Sequence, residues 1–559
     1  MDRIVECVPN FSEGRDARIV EEIVDAIRRT PEVYLLDVSM GRSANRSVVT
    51  FIGSPEGVGE AAFRAIERAA ELIDMRRHRG EHPRIGATDV CPFIPIRGVT
   101  MEDCVRIARD VGRRVGEELG IPVYLYENAA TAEHRRRLED IRSGEYESLP
   151  EKLRDPMWKP DYGPSEWNER VAKTGATIIG ARDILIAFNV NLNTKDRRIA
   201  QEIARAVRRR GYVEELPDGR KLSEPLRAVK AIGWYIEEYG RAQVSMNLTN
   251  YKAMPLWRVF EICIEEAERL GVRVTGSEII GLVPKDALLE AGRYYLRRQG
   301  RYDAVPEEDL IHIAILSLGL NEVAEFKPAE KILEYRIENV LNMRRLTNLT
   351  IRGFMDELSR SSHIPGGGGV AALLGSLSAS LSSMVSALTY GKKSYEAYSD
   401  DVIKIGRRAQ ELKYDYLDLV EEDARAFDEF MSALRLPRRT EKEKILRRER
   451  IQEAAKKAAE VPMKILRLSL SLMDLAEELA GKGNKDAISD IGISAICAYG
   501  AAFGAYLNVL TNLVWIRDQE SIKSMKEEAA KIVKEVKNRE GDVLRKVIER
   551  MGYSEEELP

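Results

Sequence analysis

Apolar positions in the first third of the chain follow two rhythms. Ile19, Ile23 and Ile27 recur four apart, which puts them on one face and predicts a helix over 17–29. The runs 3–8, 33–38 and 47–52 are short and rich in Val, Ile, Leu and Phe, and they predict strands. Helical spacing returns over 60–73 and 101–119, with a short apolar run at 91–96 between them and a strand at 123–126 opened by Pro122. The stretch 143–169 then loses periodicity and holds four prolines, so it predicts a long loop, a kind of segment that is usually functional or disordered.

A second unit repeats the plan. Strands are predicted at 184–191, 229–237, 243–248 and 272–280, and helices at 196–209 and 256–270. Strand-helix-strand-strand-helix-strand in each half predicts a sheet with its helices on one face. After 335 the β-runs stop. The segments 371–390 and 501–515 are nearly all small or apolar, so they predict helices buried on most sides, while 448–459 and 521–551 are charged and amphipathic. The expected fold class is α/β plus all-α: two α/β two-layer sandwich subdomains (1–178 and 179–335), a linker over 336–345, and an all-helical bundle domain over 346–559.

Length supports several domains, since 559 residues exceed what one core organises. Charge removes some partners: 87 Lys+Arg against 91 Asp+Glu leaves a net −4, so bulk electrostatics give no reason to expect nucleic acid or an anionic membrane. No run approaches about 18 uninterrupted apolar residues. Asp2 and Glu6 fall where the apolar part of a signal peptide would begin. The five cysteines are scattered, which fits neither a disulfide framework nor a Cys-x-x-Cys metal site. A soluble cytoplasmic protein without a bound metal is the expectation.

Three places carry candidate chemistry. Gly80-Glu81-His82-Pro83-Arg84 holds an imidazole on a turn between charges, placed for proton transfer near neutrality; a surface-turn histidine is the plain alternative. His78 and His82 have H-x-x-x-H spacing, but Gly80 and Pro83 break the helix that zinc binding would need. Pro365 and Gly366–Gly369 precede a long apolar helix, where bare backbone N–H groups can meet an anion or where two helices simply cross closely. Asp423 lies beside Ala424, Ala426 and Phe427, surroundings that raise a carboxyl pKa, whereas Glu421, Glu422 and Asp428 read as a solvated face. Asn484, Asp490, Asn508 and Asn512 interrupt otherwise apolar helical sequence and must find partners, structural or on a ligand. Arg135–Arg137 and Arg208–Arg210 read as solvated helix faces, and Trp234 as core.

Several separated motifs together resemble one family. Val5–Gly14, Gly80–Gly86, Asp89–Phe93, Pro122–Tyr126, Ala187–Asn191, Ala231–Tyr235 and Gly281–Pro284 are similar to formimidoyltransferases. The Pro-Gly-Gly-Gly loop, Asp423–Phe427, Ser489-Asp490 and Gly504–Val509 resemble the cyclodeaminase domain, and the two in this order resemble the bifunctional formimidoyltransferase-cyclodeaminases.

The resemblance implies two steps on tetrahydrofolate, a co-substrate that can carry a polyglutamate tail. A formimino group moves from N-formimino-L-glutamate to folate N5, and cyclisation then releases ammonia and leaves 5,10-methenyltetrahydrofolate. It implies His82 and Asp423 as the acid/base residues. As folate contacts it implies Gly163, Pro164, Ser165 and Gly175 in an irregular loop, Asn189, Gly366, Gly367, Gly368, Asn484, Asp490 and Asn508. It also implies a homo-oligomer, a dimer or a larger ring. A formyl-using transferase joined to a cyclohydrolase-like domain, and a non-catalytic folate-binding assembly module, remain open alternatives.

Overall fold

The computed structural model describes residues 3–215, 221–341 and 346–554. They form two compact units, one of Met1–Tyr295 with Leu310–Met343, the other of Leu296–Asp309 with Arg344–Pro559.

In the first unit β1 (Ile4–Cys7) and β2 (Asn10–Phe11) run end to end between β4 (Arg46–Gly53) and β5 (Thr88–Arg97), with β3 (Val33–Gly41) outside β4. On the other side, β7 (Thr177–Ala181) lies parallel to both β5 and β6 (Val123–Glu127). The sequence did not reveal β7, because all five of its residues are buried and no alternation marks a strand covered on both faces. One face of this sheet presents Val5, Cys7, Phe51, Cys91, Phe93 and Leu125 to the helices Ala17–Arg28, Pro55–Leu72 and Met101–Leu119. The second of these helices starts earlier than the apolar spacing predicts. Ser54 caps the Gly57 N–H, and Pro55 presets the first helical φ.

The second sheet is antiparallel, in the order β11 (Val229–Ile236), β12 (Arg241–Leu248), β8 (Ile186–Leu192), β13 (Val274–Ile280). A hairpin of β9 (Tyr212–Glu215) and β10 (Lys221–Arg227) precedes β11. Helix Arg197–Arg210 packs against β11 closely enough that a Cβ on Gly233 would lie 2.1 Å from the Gln201 nitrogen. Phe188 meets Phe260 of helix Leu256–Arg269 with ring centres 6.2 Å apart. The alternate residues of these strands face the other way, which is where the site lies.

Three expectations change. Stretch 143–169 is not a bare loop but contains short helical turns at Tyr146–Ser148, Leu149–Lys152 and Pro156–Trp158, pinned by hydrogen bonds such as Tyr146 N–H to the Arg84 carbonyl at 2.9 Å. The linker expected over 336–345 is helical up to Val340, and Arg336 donates to the Leu36 carbonyl at 2.7 and 2.9 Å; 342–345 lie outside the described residues. Arg135 is not solvated: it is 8 % exposed, donates to the Lys159 carbonyl at 2.7 Å and pairs with Asp161 at 3.1 Å.

The second unit is built on five long helices, Gly367–Thr389, Ser399–Arg435, Glu441–Lys482, Ile488–Leu513 and Gln519–Met551. Thr440 and Glu443 form a capping box that opens the third, so the short segment predicted over 448–459 is part of 42 residues of helix. Residues 296–309 join this unit rather than the preceding one, because buried Asp303 is clamped by Arg407 at 2.7 and 2.9 Å. Gly367–Thr389 and Lys485–Leu513 are long and apolar enough by composition to cross a membrane, each with mean hydropathy 1.5. Their Ser and Gly residues interrupt the apolar runs, and here serve close packing: the hydroxyls of Ser378 and Ser382 both meet that of Ser494 at 3.0 Å.

Candidate functional site

The first site is a cavity of about 710 Å³ between the helix-free faces of the two sheets. The first sheet contributes Glu6, Val8, Asn10, Arg46, Val90, Pro92 and Tyr126; the second contributes Asn189, Lys230, Trp234, Gln243 and Glu278. His82 stands in its wall, on the connection between helix Pro55–Leu72 and β5. That connection is tightly held. A Cβ at Gly80 would lie 2.3 Å from the Ala44 carbonyl oxygen, so only glycine lets the turn close there. His78 braces it through Nε2 to the Asn45 carbonyl at 2.8 Å and Nδ1 to Arg84 at 3.2 Å.

His82 Nδ1 lies 2.7 Å from the Pro83 carbonyl oxygen. A carbonyl only accepts, so Nδ1 carries the proton and Nε2 keeps its lone pair in the neutral ring. Burial holds the imidazole pKa well below its usual value, and the guanidiniums of Arg46 and Arg142 press it lower against the opposing pull of Asp89. Those three charges form one group. Asp89 is fully buried and accepts from Arg46 Nη1 at 2.6 Å, from Arg142 and from the Ile85 N–H at 2.9 Å. Burial alone would raise the Asp89 pKa, but Arg142 and Arg46 hold it at about 2. The arrangement can therefore accept a proton from a substrate nitrogen at neutral pH beside a pair of guanidiniums only partly offset by Asp89.

Asn189 reaches this cavity, donating to Glu278 at 3.1 Å. Gly163, Pro164, Ser165 and Gly175 do not line it. Gly163 packs its backbone against Gly116 and Ile121. Gly175, at φ +67°, is wedged against Ile85 and Gly86 and so supports the His82 connection from behind. Residues 138–145 close the cavity instead, with Leu138, Glu139, Arg142 and Glu145. Trp234 is not core: it sits in the cavity wall, edge-on to His82 with ring centres 6.3 Å apart, and donates to Gln243 at 2.7 Å. Arg46, Asp89, Arg142 and Gln243 were missed because strand pairing and the packing of helix Leu138–Arg142, not sequence proximity, assemble them.

The second site is at the start of helix Gly367–Thr389, whose first turn is three glycines. Asp423, midway along helix Ser399–Arg435, points at that turn and accepts the Gly369 N–H. A Cβ on Gly368 would lie 2.1 Å from an Asp423 carboxyl oxygen, so the glycine makes room for the acid. Burial pushes Asp423 up to about 6, and the Gly369 N–H only partly offsets that. Asn508 approaches the same turn, 3.5 Å from where a Gly367 Cβ would be, and donates to the Gly504 carbonyl at 2.9 Å. His363 stacks at an angle on Phe427, 5.7 Å between centres. Gly366, Gly367, Gly368, Asp423 and Asn508 are thus brought together.

Asn484 and Asp490 are not. Asn484 N–H donates to Thr389 Oγ1 at 2.8 Å, which places it at the opposite end of the glycine-led helix. Asp490 opens helix Ile488–Leu513, about 27 Å along the axis from Asn508 at 1.5 Å per residue. Asn512 has a structural partner, the Ala458 carbonyl at 2.6 Å.

Comparison with known proteins adds to this geometry. A family model described as the N-terminal subdomain of the formiminotransferase domain matches residues 4–182, one described as the formiminotransferase domain matches 187–338, and one described as formiminotransferase-cyclodeaminase matches 350–531. The chain is 41 % identical over 544 residues to the formimidoyltransferase-cyclodeaminase of Sus scrofa, covering 97 % of this chain and 98 % of that one. It is 50 % identical over 299 residues to the glutamate formimidoyltransferase of Thermoplasma acidophilum, covering 53 % of this chain and 93 % of that one. A third similarity is 40 % identity over 172 residues to the methenyltetrahydrofolate cyclohydrolase of Methylorubrum extorquens, covering 31 % of this chain and 83 % of that one.

Proposed function

This chain belongs to the formimidoyltransferase-cyclodeaminase family, and from that premise we propose that its two units perform successive steps on one folate. The first transfers the formimino group of N-formimino-L-glutamate to N5 of tetrahydrofolate and releases glutamate. The second closes N10 onto the transferred carbon, expels ammonia and leaves 5,10-methenyltetrahydrofolate. What carries the reading is that each family-matched region holds one proton-transfer group facing its site, His82 as a neutral base in one and Asp423, raised to about 6, in the other.

In the transferase cavity, N5 attacks the formimino carbon while His82 Nε2 takes the N5 proton. The imidazolium returns that proton to the departing glutamate nitrogen, so the ring ends as it began. Arg46, Arg142 and Lys230 suit the two carboxylates of the glutamate moiety. Asn189, with Gln243 and Glu278, presents polar groups to the folate. In the helical unit the Asp423 carboxylate removes the N10 proton and its acid form protonates the leaving ammonia. The N–H groups of Gly367 and Gly368, with Asn508, hold the reacting formimino carbon's surroundings in place. Each α/β half is a two-layer sandwich in this reading, and neither step calls on a metal.

The test uses purified chain with tetrahydrofolate and N-formimino-L-glutamate, following methenyltetrahydrofolate absorbance and ammonia together. Equal yields of both are expected. The cyclohydrolase relative favours a second reading, in which the helical unit hydrolyses methenyltetrahydrofolate; a chain that releases no ammonia from the formimino donor but consumes added methenyltetrahydrofolate to give formyltetrahydrofolate would establish that one.

A second copy of the chain covers an apolar face of the helical unit. Leu377, Met384 and Leu388 on one helix, and Ile493, Ile496, Phe503 and Leu507 on its neighbour, are each 40–50 % exposed. A patch this continuous is unusual on a lone chain. Light scattering at micromolar concentration should give at least twice the 63.2 kDa chain mass, and Ile496→Glu with Phe503→Glu should lower it; a wild-type mass of one chain would end the proposal. The cysteines Cys7, Cys91, Cys104, Cys263 and Cys497 are all thiols, which supports a cytoplasmic location.

A further inference from the structure

The transferase cavity contains a carboxyl that the mechanism above leaves unused. Glu6 extends from β1 into the cavity between Ile52 of β4 and Ile94 of β5, its partners across the sheet. It is 5 % exposed, and no described residue donates a hydrogen bond to it. Val8, Pro92, Tyr126, Ile184, Leu282 and Leu333 line the same cavity, together with Arg182. With no donor among the described residues, this nearly buried carboxyl can meet a partner only through the cavity.

Arg46, whose charge acts on His82, donates to Asn10 at 3.1 Å, and Asn10 pairs with Val90, whereas Glu6 pairs with Ile94 four residues further along β5 and is acted on by Arg182 and Glu334. The two groups thus occupy different stretches of one cavity. The cationic formimino carbon must lie at His82, so the partner of Glu6 is another part of the substrates. It must be flat enough for a slot between apolar side chains and must offer adjacent N–H donors.

Resting on the transferase reading, we infer that Glu6 holds the pterin head of the folate, its two carboxylate oxygens receiving the 2-amino group and N3–H. These two donors are parallel and spaced like those of a guanidinium, which a carboxylate matches in a bidentate pair. They sit on the ring fused to the one that carries N5. Anchoring them therefore fixes the direction in which N5 faces. A protonated carboxyl offers one donor and one acceptor and mismatches that edge, so the ionised form is the binding form. Burial holds the free group's pKa up at about 7, with Arg182 favouring ionisation and Glu334 opposing it.

Glu6→Gln tests this without changing side-chain volume. Tetrahydrofolate and its 2-desamino-2-methyl analogue are titrated against full-length wild type and variant. Wild type should bind tetrahydrofolate roughly 10- to 100-fold more tightly than the analogue, and the variant should bind both at the analogue's affinity. The wild-type preference should shrink as pH falls below about 7, with no such change in the variant. KM for N-formimino-L-glutamate should stay within about twofold, which also reports that the variant is folded. A loss falling equally on both pteridines, or on the formimino donor instead, overturns the assignment of Glu6 alone. A wild-type chain that binds no tetrahydrofolate overturns the transferase reading, and this inference with it.

Discussion

Replacing His82 by alanine should lower kcat for formimino transfer by about a thousandfold, in the middle of the range for loss of a general acid/base, while folate binding is retained. The size follows from geometry. Nδ1 is committed to the Pro83 carbonyl, which leaves Nε2 as the one ring atom free to shuttle the proton. No other imidazole lines the cavity, since His78 is occupied by Asn45 and Arg84. The pH profile makes the sharper test. The folded pKa lies well below 6.5, so the base form is already complete at neutrality and is lost only as pH falls through that depressed value. Transfer rate should therefore stay flat from about pH 8 to about 6.5, where an unperturbed histidine would already be half protonated. A midpoint at 6.5 or higher in kcat/KM would show that burial, with Arg46 and Arg142, does not govern the group. Loss of folate binding in the alanine variant would make His82 a structural residue.

Asp423→Asn should separate the two reactions. Ammonia release is expected to fall by about a thousandfold while formimino transfer continues, so 5-formiminotetrahydrofolate accumulates. The amide keeps the shape that faces Gly368 and Gly369 but cannot cycle a proton. Because the Asp423 pKa is raised to about 6, cyclisation in wild type should decline about tenfold per pH unit below that value. Stability should move the other way. A carboxyl whose folded pKa exceeds its unfolded value favours the fold at low pH, and that contribution is lost as pH rises from about 4 to about 6. At neutral pH the wild type thus keeps a half-buried charge that asparagine removes. The variant should melt no lower than wild type, consistent with an active site held at the expense of stability. A variant that melts well below wild type and loses both activities together would contradict the assignment.

How much of this was visible in the sequence depended on how local each feature is. His82 and the glycine run stand out because a few adjacent residues restrict the backbone and place a chemical group, and Asp423 because its immediate neighbours are small or apolar. The wall around His82 could not be read, since Arg46, Asp89, Arg142 and Gln243 come from distant segments joined only by pairing and packing. Within the irregular stretch Glu145 faces the cavity, with Arg142 just ahead of it, while the backbone of Gly163 and Gly175 packs against neighbouring backbone. Polar residues in apolar helices were likewise visible at Asn484, Asp490 and Asn508. Spacing gave no sign that the first two lie at the far end of the bundle from the third. Alternation suggested a buried Trp234 without indicating that its side of the sheet borders a cavity.

The Arg46–Asp89–Arg142 group has a consequence for the solvent as well as for the imidazole. Asp89 gives up its charge only near pH 2, and burial brings Arg46 down no further than about 10. Throughout the range between, acidity leaves this pair's charges in place, and the second guanidinium makes the group a net cation built into the wall. Its attraction for a dicarboxylate is as much a fixed property of the folded chain as a cut stone's shape. Ionic strength, unlike acidity, reaches that attraction: mobile ions screen it over about 8 Å at physiological salt, before the substrate enters the mouth of the cavity. Capture of the donor is then a process tuned by the saltiness of the surroundings, while the proton transfer that follows is sheltered from it.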